Sequence, residues 1–565
     1  MNRSTMVGAL LLGLVAAHSA FHAADARVSE AEWKAAKAEY LKLQADPERR
    51  AAAIVALGRC DHPEAVKILL KLLGSQDPQY GALLAERAAV IAELVESQKF
   101  GKECQEKGRL FSQGEADRLN AKHKALEDKV AALDVRLTAI HAVRYAAIEA
   151  LYETGDDEAY ALLLAAVADP KWEVRSGALQ ALGRCGTIAS RPTIRAAIAD
   201  KDPKVQAAAI DASARREDKE AEAAIVLQLA NKAWQVRVAA VQALASFKSL
   251  TAVGPLVTAL QAEDGRMRED LDQALLAITG FSHGGDPANW KAWYEGNKDR
   301  LAEVVAARLA EAKHEKVRGG SVSFYGIETQ SKNLCFVIDV SGSMEQKAGK
   351  PAESKESTGD GAISGRGSGA GASARAYPVD GTKMDVANYE LIKAVEALPD
   401  DALFNIVYFS TDVGIYAAKG MIKATDAAKK QTVQWIEQTL KPTLGTNIFD
   451  SLEYAINLNG ALDASYKKGV DTIFFLTDGK PTHGRVRETD KILTEVASLN
   501  AIRKIKIHVI GVGKVVYEDA KGELGGPKND ADKAKRVVDK TKSEIDVDFL
   551  RKLAEGNGGT FAHRE

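Results

Sequence analysis

The amino-acid sequence predicts two folds in tandem: an α-solenoid of short helix pairs, then an α/β domain built on a parallel sheet. Two observations carry this. A Val-Arg-type pair recurs every 31 residues from Val143-Arg144 to Met267-Arg268, each copy leading into an Ala- and Leu-rich helical pattern. After Lys313 that period gives way to strand-like apolar runs of five or six residues separated by amphipathic stretches, the first of them, Leu334–Ile338, continuous as a strand covered on both faces by helices requires.

With 565 residues, 46% hydrophobic and 27% charged, the chain has material for several packed cores. Its 76 basic and 78 acidic side chains leave a net charge of −2, which supplies no field for gripping nucleic acid or an acidic membrane. Residues 1–26 have the layout of a secretory signal: Arg3, an apolar run from Met6 to about Ala17, then Ala24-Asp25-Ala26 as the cleavage site. That run is short of the roughly 20 residues a spanning helix needs, so the expectation is an exported chain beginning near Arg27, in the periplasm, on the cell surface or secreted, and not an integral membrane protein after cleavage.

The repeat array is expected over 27–310. Its pairs are Val143-Arg144, Val174-Arg175, Val205-Gln206, Val236-Arg237 and Met267-Arg268, with Asp169-Pro170 and Asp202-Pro203 opening two units by turn chemistry. About 30 residues suit one pair of short antiparallel helices, and the array resembles short HEAT-like repeats. A column of arginines invites two readings, an anion site or hydrogen bonds linking adjacent repeats; the second is the commoner use. Trp172 and Trp234, just ahead of the pair, read as packing residues. An insertion at about 100–140 breaks the register: Leu119, Leu126, Leu133 and Ile140 fall seven apart with Val130 and Leu137 between them. It predicts a long, coiled-coil-like helix, either a projecting arm or a helix laid along the solenoid. The cysteines Cys60, Cys104, Cys185 and Cys335 form neither a disulfide framework nor a metal-ligand spacing and read as structural thiols.

The α/β domain is expected over 311–565. Strands are predicted at Leu334–Ile338, Phe404–Phe409, Thr472–Leu476 and 505–510, with helices near 384–397, 424–440, 447–459, 485–499 and 546–555. The first strand ends in Asp339-Val340-Ser341-Gly342-Ser343-Met344. Gly445-Thr446-Asn447 and Thr477-Asp478-Gly479 follow in later loops. Taken together these segments resemble the von Willebrand factor A domain, a Rossmann-like fold, with Asp339, Ser341, Ser343, Thr446 and Asp478 at the positions of that family's metal-ion-dependent adhesion site. The resemblance implies a bound divalent cation whose open position takes an Asp or Glu carboxylate from a protein partner.

The residue types suit that chemistry. Mg²⁺, or Mn²⁺ or Ca²⁺ in its place, takes oxygen ligands, and two carboxylates with three hydroxyls supply them while leaving positions for water or a partner. In a doubly wound sheet such a site falls at the carboxyl ends of strands, where Asp339 and Asp478 are predicted. Two insertions depart from a minimal domain: a Gly- and Ser-rich stretch over about 345–383, predicted disordered, and a charged one over about 514–543. The chain has no G-x-S-x-G and no phosphate-binding loop, and Ser341 and Ser343 have no evident His base, so no enzyme is predicted. The leading expectation is an exported, cation-dependent protein-binding protein for adhesion or assembly. The alternative is a scaffold that recognises partners through its repeats and keeps a non-functional metal site.

Overall fold

The computed structural model describes residues 29–43, 47–75, 112–310, 322–348, 376–417, 420–443, 445–458, 469–515, 517–519, 536–538 and 543–564, with scattered helical positions between 82 and 97. The expected signal segment, Cys104 and most of both insertions lie outside the described residues. The chain divides into two compact units, Met1–Cys185 and Gly186–Glu565. That division falls inside the repeat array rather than at the 310/311 change of fold type, because the later repeats are tied to the α/β domain.

The first unit contains α1 (Glu30–Leu43), α2 (Pro47–Gly58), α3 (Pro63–Leu73), α4 (Gln113–Leu151), α5 (Asp157–Ala165) and α6 (Trp172–Cys185). The inserted helix is not separate from the repeats: α4 starts at a Ser112/Glu115 capping box and runs 39 residues without a break through Val143 and Arg144. Its last turns pack on α2 closely enough that a methyl group on Gly58 would stand 2.4 Å from the Ala150 Cβ. Its earlier turns form ion pairs from Lys122 to Glu93 (3.1 Å) and from Lys129 to Glu86 (3.2 Å), so α4 lies along the neighbouring segment there instead of projecting. Of the heptad positions, Leu133 is buried and Leu119 and Leu126 are half-buried; the side chains of Val130, Leu137 and Ile140 lie outside the described set. Cys60 and Cys335 are buried free thiols, and the Cys185 Sγ faces the Leu151 carbonyl at 3.7 Å. Burial pushes the Cys335 thiol up, as suits a structural side chain.

The second unit begins with α7 (Arg191–Ala197), α8 (Pro203–Arg215), α9 (Glu222–Leu227), α10 (Trp234–Ser246), α11 (Val253–Ala262), α12 (Gly265–Thr279), α13 (Pro287–Asn297) and α14 (Leu301–Ala310). In three successive repeats the recurring polar residue reaches back to the turn that precedes its helix. Gln206 donates to the Asp200 carbonyl (2.7 Å), Arg237 to the Asn231 carbonyl (2.9 Å) and Arg268 to the Glu263 carbonyl (2.9 Å). The same turns reach to the preceding repeat, Asn231 donating to Gln206 (2.9 Å) and Glu263 pairing with Arg237 (2.8 Å). A continuous ladder therefore runs Gln206, Asn231, Arg237, Glu263, Arg268, the inter-repeat linkage expected of that column. Trp172 and Trp234 are half-buried, the latter under the Arg266 guanidinium at 5.5 Å.

The α/β domain follows. A hairpin of β1 (Val322–Phe324) and β2 (Ile327–Thr329) precedes β3 (Asn333–Asp339), β4 (Leu403–Phe409), β5 (Val413–Ile415), β6 (Ile422–Lys423), β7 (Thr472–Thr477) and β8 (Lys506–Val512). A second two-stranded ribbon pairs β9 (Tyr517–Asp519) with β10 (Arg536–Val538), and β11 (Phe561–Arg564) closes the chain. The main sheet has the order β11-β8-β7-β3-β4-β5, parallel from β11 to β4, with β5 and β6 antiparallel on β4. Alternate residues feed two cores. Phe336, Ile338 and Phe474 face α15 (Lys383–Ala397) and α16 (Asp426–Thr439) through Leu391 and Ile436. Cys335, Val337, Ile473 and Phe475 face α17 (Ile448–Ile456), α18 (Thr489–Arg503) and α19 (Val547–Gly556) through Leu452, Ile492 and Leu550.

A buried ionic junction ties α12 to the amino ends of the strands. Lys506 at the start of β8 pairs with Glu269 (2.8 Å) and Asp270 (2.6 Å). Glu269 also accepts from the Thr329 hydroxyl (2.8 Å) and the Gln330 N–H (3.1 Å), while Arg266 bonds Asp270 (3.1 Å) and the Asp471 carbonyl (2.6 Å). Desolvation pushes the Glu269 carboxyl up, but Lys506 and the two hydrogen bonds outweigh it and hold the group at about 2. The junction leaves the carboxyl ends of the strands for the site below. Among the described residues no helix is long and apolar enough to cross a membrane.

Candidate metal centre

Three loops meet at the carboxyl ends of β3 and β7. The first follows Asp339 directly: the Ser341 N–H donates to Asp339 Oδ1 (2.8 Å), and a short turn over Gly342–Glu345 brings Ser343 round so that the two serine hydroxyls lie 3.0 Å apart. The third follows β7, where Asp478 Oδ1 accepts from Ser343 (2.7 Å) and Ser341 (3.3 Å), and Thr477 donates to Asp339 Oδ2 (2.6 Å). The second loop brings Thr446 to the N-terminus of α17. Its backbone is tied to the third loop, the Thr446 N–H donating to Thr482 Oγ1 (2.9 Å) and its carbonyl accepting from the Thr482 (3.0 Å) and His483 (3.1 Å) N–H groups. A methyl group on Gly479 would stand 3.4 Å from Thr446 Oγ1 and 4.0 Å from Ser343 Oγ, so all five expected side chains share one locus.

That convergence depends on Gly445. It sits at φ +87°, and a Cβ there would come within 2.4 Å of Thr411 Oγ1. Arg485 adds a clamp, reaching from the third loop to Asp450 (2.6 Å) on α17 and also pairing with Glu453.

The sequence reading missed a cation already at the site. Lys383, the first residue of α15, donates to Gln346 Oε1 (3.0 Å), Asp478 Oδ2 (3.1 Å) and Glu544 Oε2 (2.9 Å). The one available signal was a lysine on the stripe otherwise filled by Ala387 and Leu391, since Lys383 is itself buried. The first insertion is also narrower than 345–383: Lys347 pairs with Thr382 and the Ala348 N–H donates to the Gly381 carbonyl (3.0 Å), so both of its ends are held and the expectation of disorder concerns 349–375, outside the described residues.

The donor set fits a hard cation. Asp339 is fully buried; burial, with the Asp478 charge second, pushes its carboxyl up to about 7 against the hydrogen bonds of Thr477 and Ser341. Lys383 and Glu544 offset one another, which leaves the two aspartates without a full counter-charge. The polar side-chain atoms of the five residues are carboxylate and hydroxyl oxygens, hard donors, with two carboxylates among them; among the described residues no group of three or more His, Cys, Asp or Glu could hold a metal ion.

The comparisons agree with the two folds. Residues 125–183, 139–201, 161–233 and 190–276 match the HEAT repeats family, and residues 382–520 match the von Willebrand factor type A domain. The chain thus carries HEAT repeats followed by a von Willebrand factor type A domain. Both are families of interaction modules, usually non-catalytic. The matched range begins after the first insertion, so β3 and the Asp339 loop precede it. Similar solved structures include a von Willebrand factor type A protein from Catenulispora acidiphila (18% identity, TM-score 0.27, 42% of this chain and 40% of that one). Another is an Asp-to-Ala mutant of the PilB minor pilin from Streptococcus sanguinis (15% identity, TM-score 0.23, 41% of this chain and 56% of that one). The chain spans about half the length of these structures or less. No curated protein matches it.

Proposed function

We propose that the chain is an exported, divalent-cation-dependent protein-binding protein for adhesion or assembly. Asp339, Ser341, Ser343, Thr446 and Asp478 would hold Mg²⁺, or Mn²⁺ or Ca²⁺, and a partner's Asp or Glu would complete the coordination. One observation carries the reading: Asp478 Oδ1 accepts from both Ser343 and Ser341 while Asp339 is buried beside them without a full counter-charge. When bound, the cation supplies a Lewis-acidic position open to a third carboxylate. The chain's own residues orient that position: Thr477 and the Ser341 N–H fix both oxygens of Asp339, and the Thr446 backbone ties the second loop to the third. The HEAT repeats would serve as a second protein-binding surface or a stiff spacer.

Calorimetric titration of the chain with Mg²⁺ and Mn²⁺ tests the reading. Saturable binding that disappears in Asp339→Ala is the expected result; equal heats from wild type and variant overturn it. Export is tested separately by N-terminal sequencing of the protein recovered outside the cytoplasm, which should begin near Arg27.

A further inference from the structure

The placement of Lys383 works against ordinary helix energetics. It opens α15, where the partial positive charge of a helix N-terminus disfavours a cation, and the capping box of Thr382 and Asp385 already satisfies that end without it. Its side chain is 4% exposed, so it gives up both hydration and rotamer freedom. What holds it is a complete set of acceptors: the three N–H groups of the ammonium meet the three oxygens of Gln346, Asp478 and Glu544. Glu544 is itself fixed, accepting from the Lys514 N–H (3.0 Å). Lys383 and Glu544 stand where the chain re-enters the domain after each of the two insertions, so two separate excursions each deliver one charge, and the lysine of the pair meets Asp478.

We infer that Lys383 and Glu544 form a tethered charge pair that sets the cation affinity of this centre, the lysine lowering it and the glutamate raising it. The inference rests on the metal-site reading above. The ammonium bonds the Asp478 oxygen that faces away from the serine hydroxyls, so it does not fill the hydroxyl-lined locus. It stands within a few ångströms of any cation placed there, and in a buried site like charges at that range repel far more strongly than in water. Glu544 reduces that repulsion without touching Asp339 or either serine. Affinity then depends on the pair: intact, it gives a site of moderate strength that a partner's carboxylate can still complete; without the lysine, the chain would hold the cation tightly on its own.

A merely structural lysine predicts the opposite sign for its loss, and Mg²⁺ calorimetry on the full chain separates the two, with circular dichroism as the check of folding. Lys383→Met should bind Mg²⁺ about tenfold more tightly or better; Glu544→Gln should bind more weakly by a smaller factor, about threefold, because that carboxylate is 39% exposed, and the double variant should fall between Lys383→Met and wild type. Lys383→Arg, which keeps the charge, should stay near wild type. A folded Lys383→Met that binds no more tightly than wild type overturns the inference while leaving the metal site standing. If Lys383→Met does not fold, Glu544→Gln carries the test, and unchanged affinity there overturns it. Absence of Mg²⁺ binding in wild type and all variants overturns the metal reading and the inference with it, whereas binding seen only in Lys383→Met supports both.

Discussion

The repeats and the α/β domain bury polar side chains by opposite rules. In the repeats a partner lies close in sequence and the arrangement recurs: Gln206 and Arg237 each reach a carbonyl six residues back, and Asn231 and Glu263 carry the contact across to the next repeat. In the α/β domain the contacts that bring the loops together are made once and across a long separation. Ser343 meets Asp478 over 135 residues, Thr477 meets Asp339 over 138 and Lys383 meets Glu544 over 161. The difference teaches where a single substitution matters. A recurrent contact spreads its contribution over the array, whereas convergence of distant loops concentrates charge at one point and makes that point sensitive.

The ionic junction between these regions should give the largest effect. Glu269→Ala leaves Lys506 buried with only part of its counter-charge, and breaking a buried pair from one side costs about 3–5 kcal/mol, to be read from chemical denaturation. A loss under about 1 kcal/mol would mean that Asp270 alone satisfies Lys506, and that the junction behaves like the recurrent contacts of the repeats.

Acid separates the regions next. Burial, then the Lys506 charge, holds His508 at about 3, and its Nδ1 accepts from the Thr560 N–H (3.1 Å), so the folded state keeps the ring neutral. The unfolded chain takes up that proton below about 6.5, so this contribution is intact at pH 7 and is lost progressively as pH falls toward 3. Relative to a His508→Gln variant, wild type should lose about 2 kcal/mol between pH 7 and pH 5. Parallel pH profiles of the two proteins would remove His508 from the account.

The candidate metal centre should show the reverse sign. Two buried carboxylates facing the same hydroxyls oppose folding when no cation is present, so Asp339→Asn, which keeps the shape, should raise stability by about 1–2 kcal/mol in chelator. Saturating Mg²⁺ should then stabilise wild type and leave the variant unmoved. A variant less stable than wild type in chelator would show that Asp339 contributes more through the Thr477 and Ser341 hydrogen bonds than burial takes away.

These contrasts follow what could be read from the sequence. The 31-residue recurrence, the apolar run that becomes β3 and the Asp-x-Ser-x-Ser that ends it are local patterns, and a local pattern needs no knowledge of the fold. Thr446 and Asp478 were legible only because a family resemblance supplied the long-range pairing. Lys383 and Glu544 were not, since nothing local joins a lysine to an acid 161 positions away. The same limit hid the junction: Glu269 looks like one more exposed charge on a repeat helix, and Lys506 like an interruption between Ile505 and Ile507. The unit boundary at 185/186 follows from that junction and has no signal in the repeat pattern.

The smallest effect tests the recurrent side of the comparison. Arg237 is half-buried and bonds the Asn231 carbonyl and the Glu263 carboxylate, so Arg237→Ala should cost about 1 kcal/mol. The sharper quantity is its coupling to neighbours. Gln206 and Arg237 share Asn231, whereas Gln206 and Arg268 share no residue of the ladder. Nearest-neighbour behaviour predicts that Gln206→Ala with Arg237→Ala departs from additivity by about 0.5 kcal/mol or more, and that Gln206→Ala with Arg268→Ala adds within that margin. Coupling of equal size in both double variants would mean that the ladder acts as one long-range network, and the distinction from the α/β domain would then be one of sequence spacing alone.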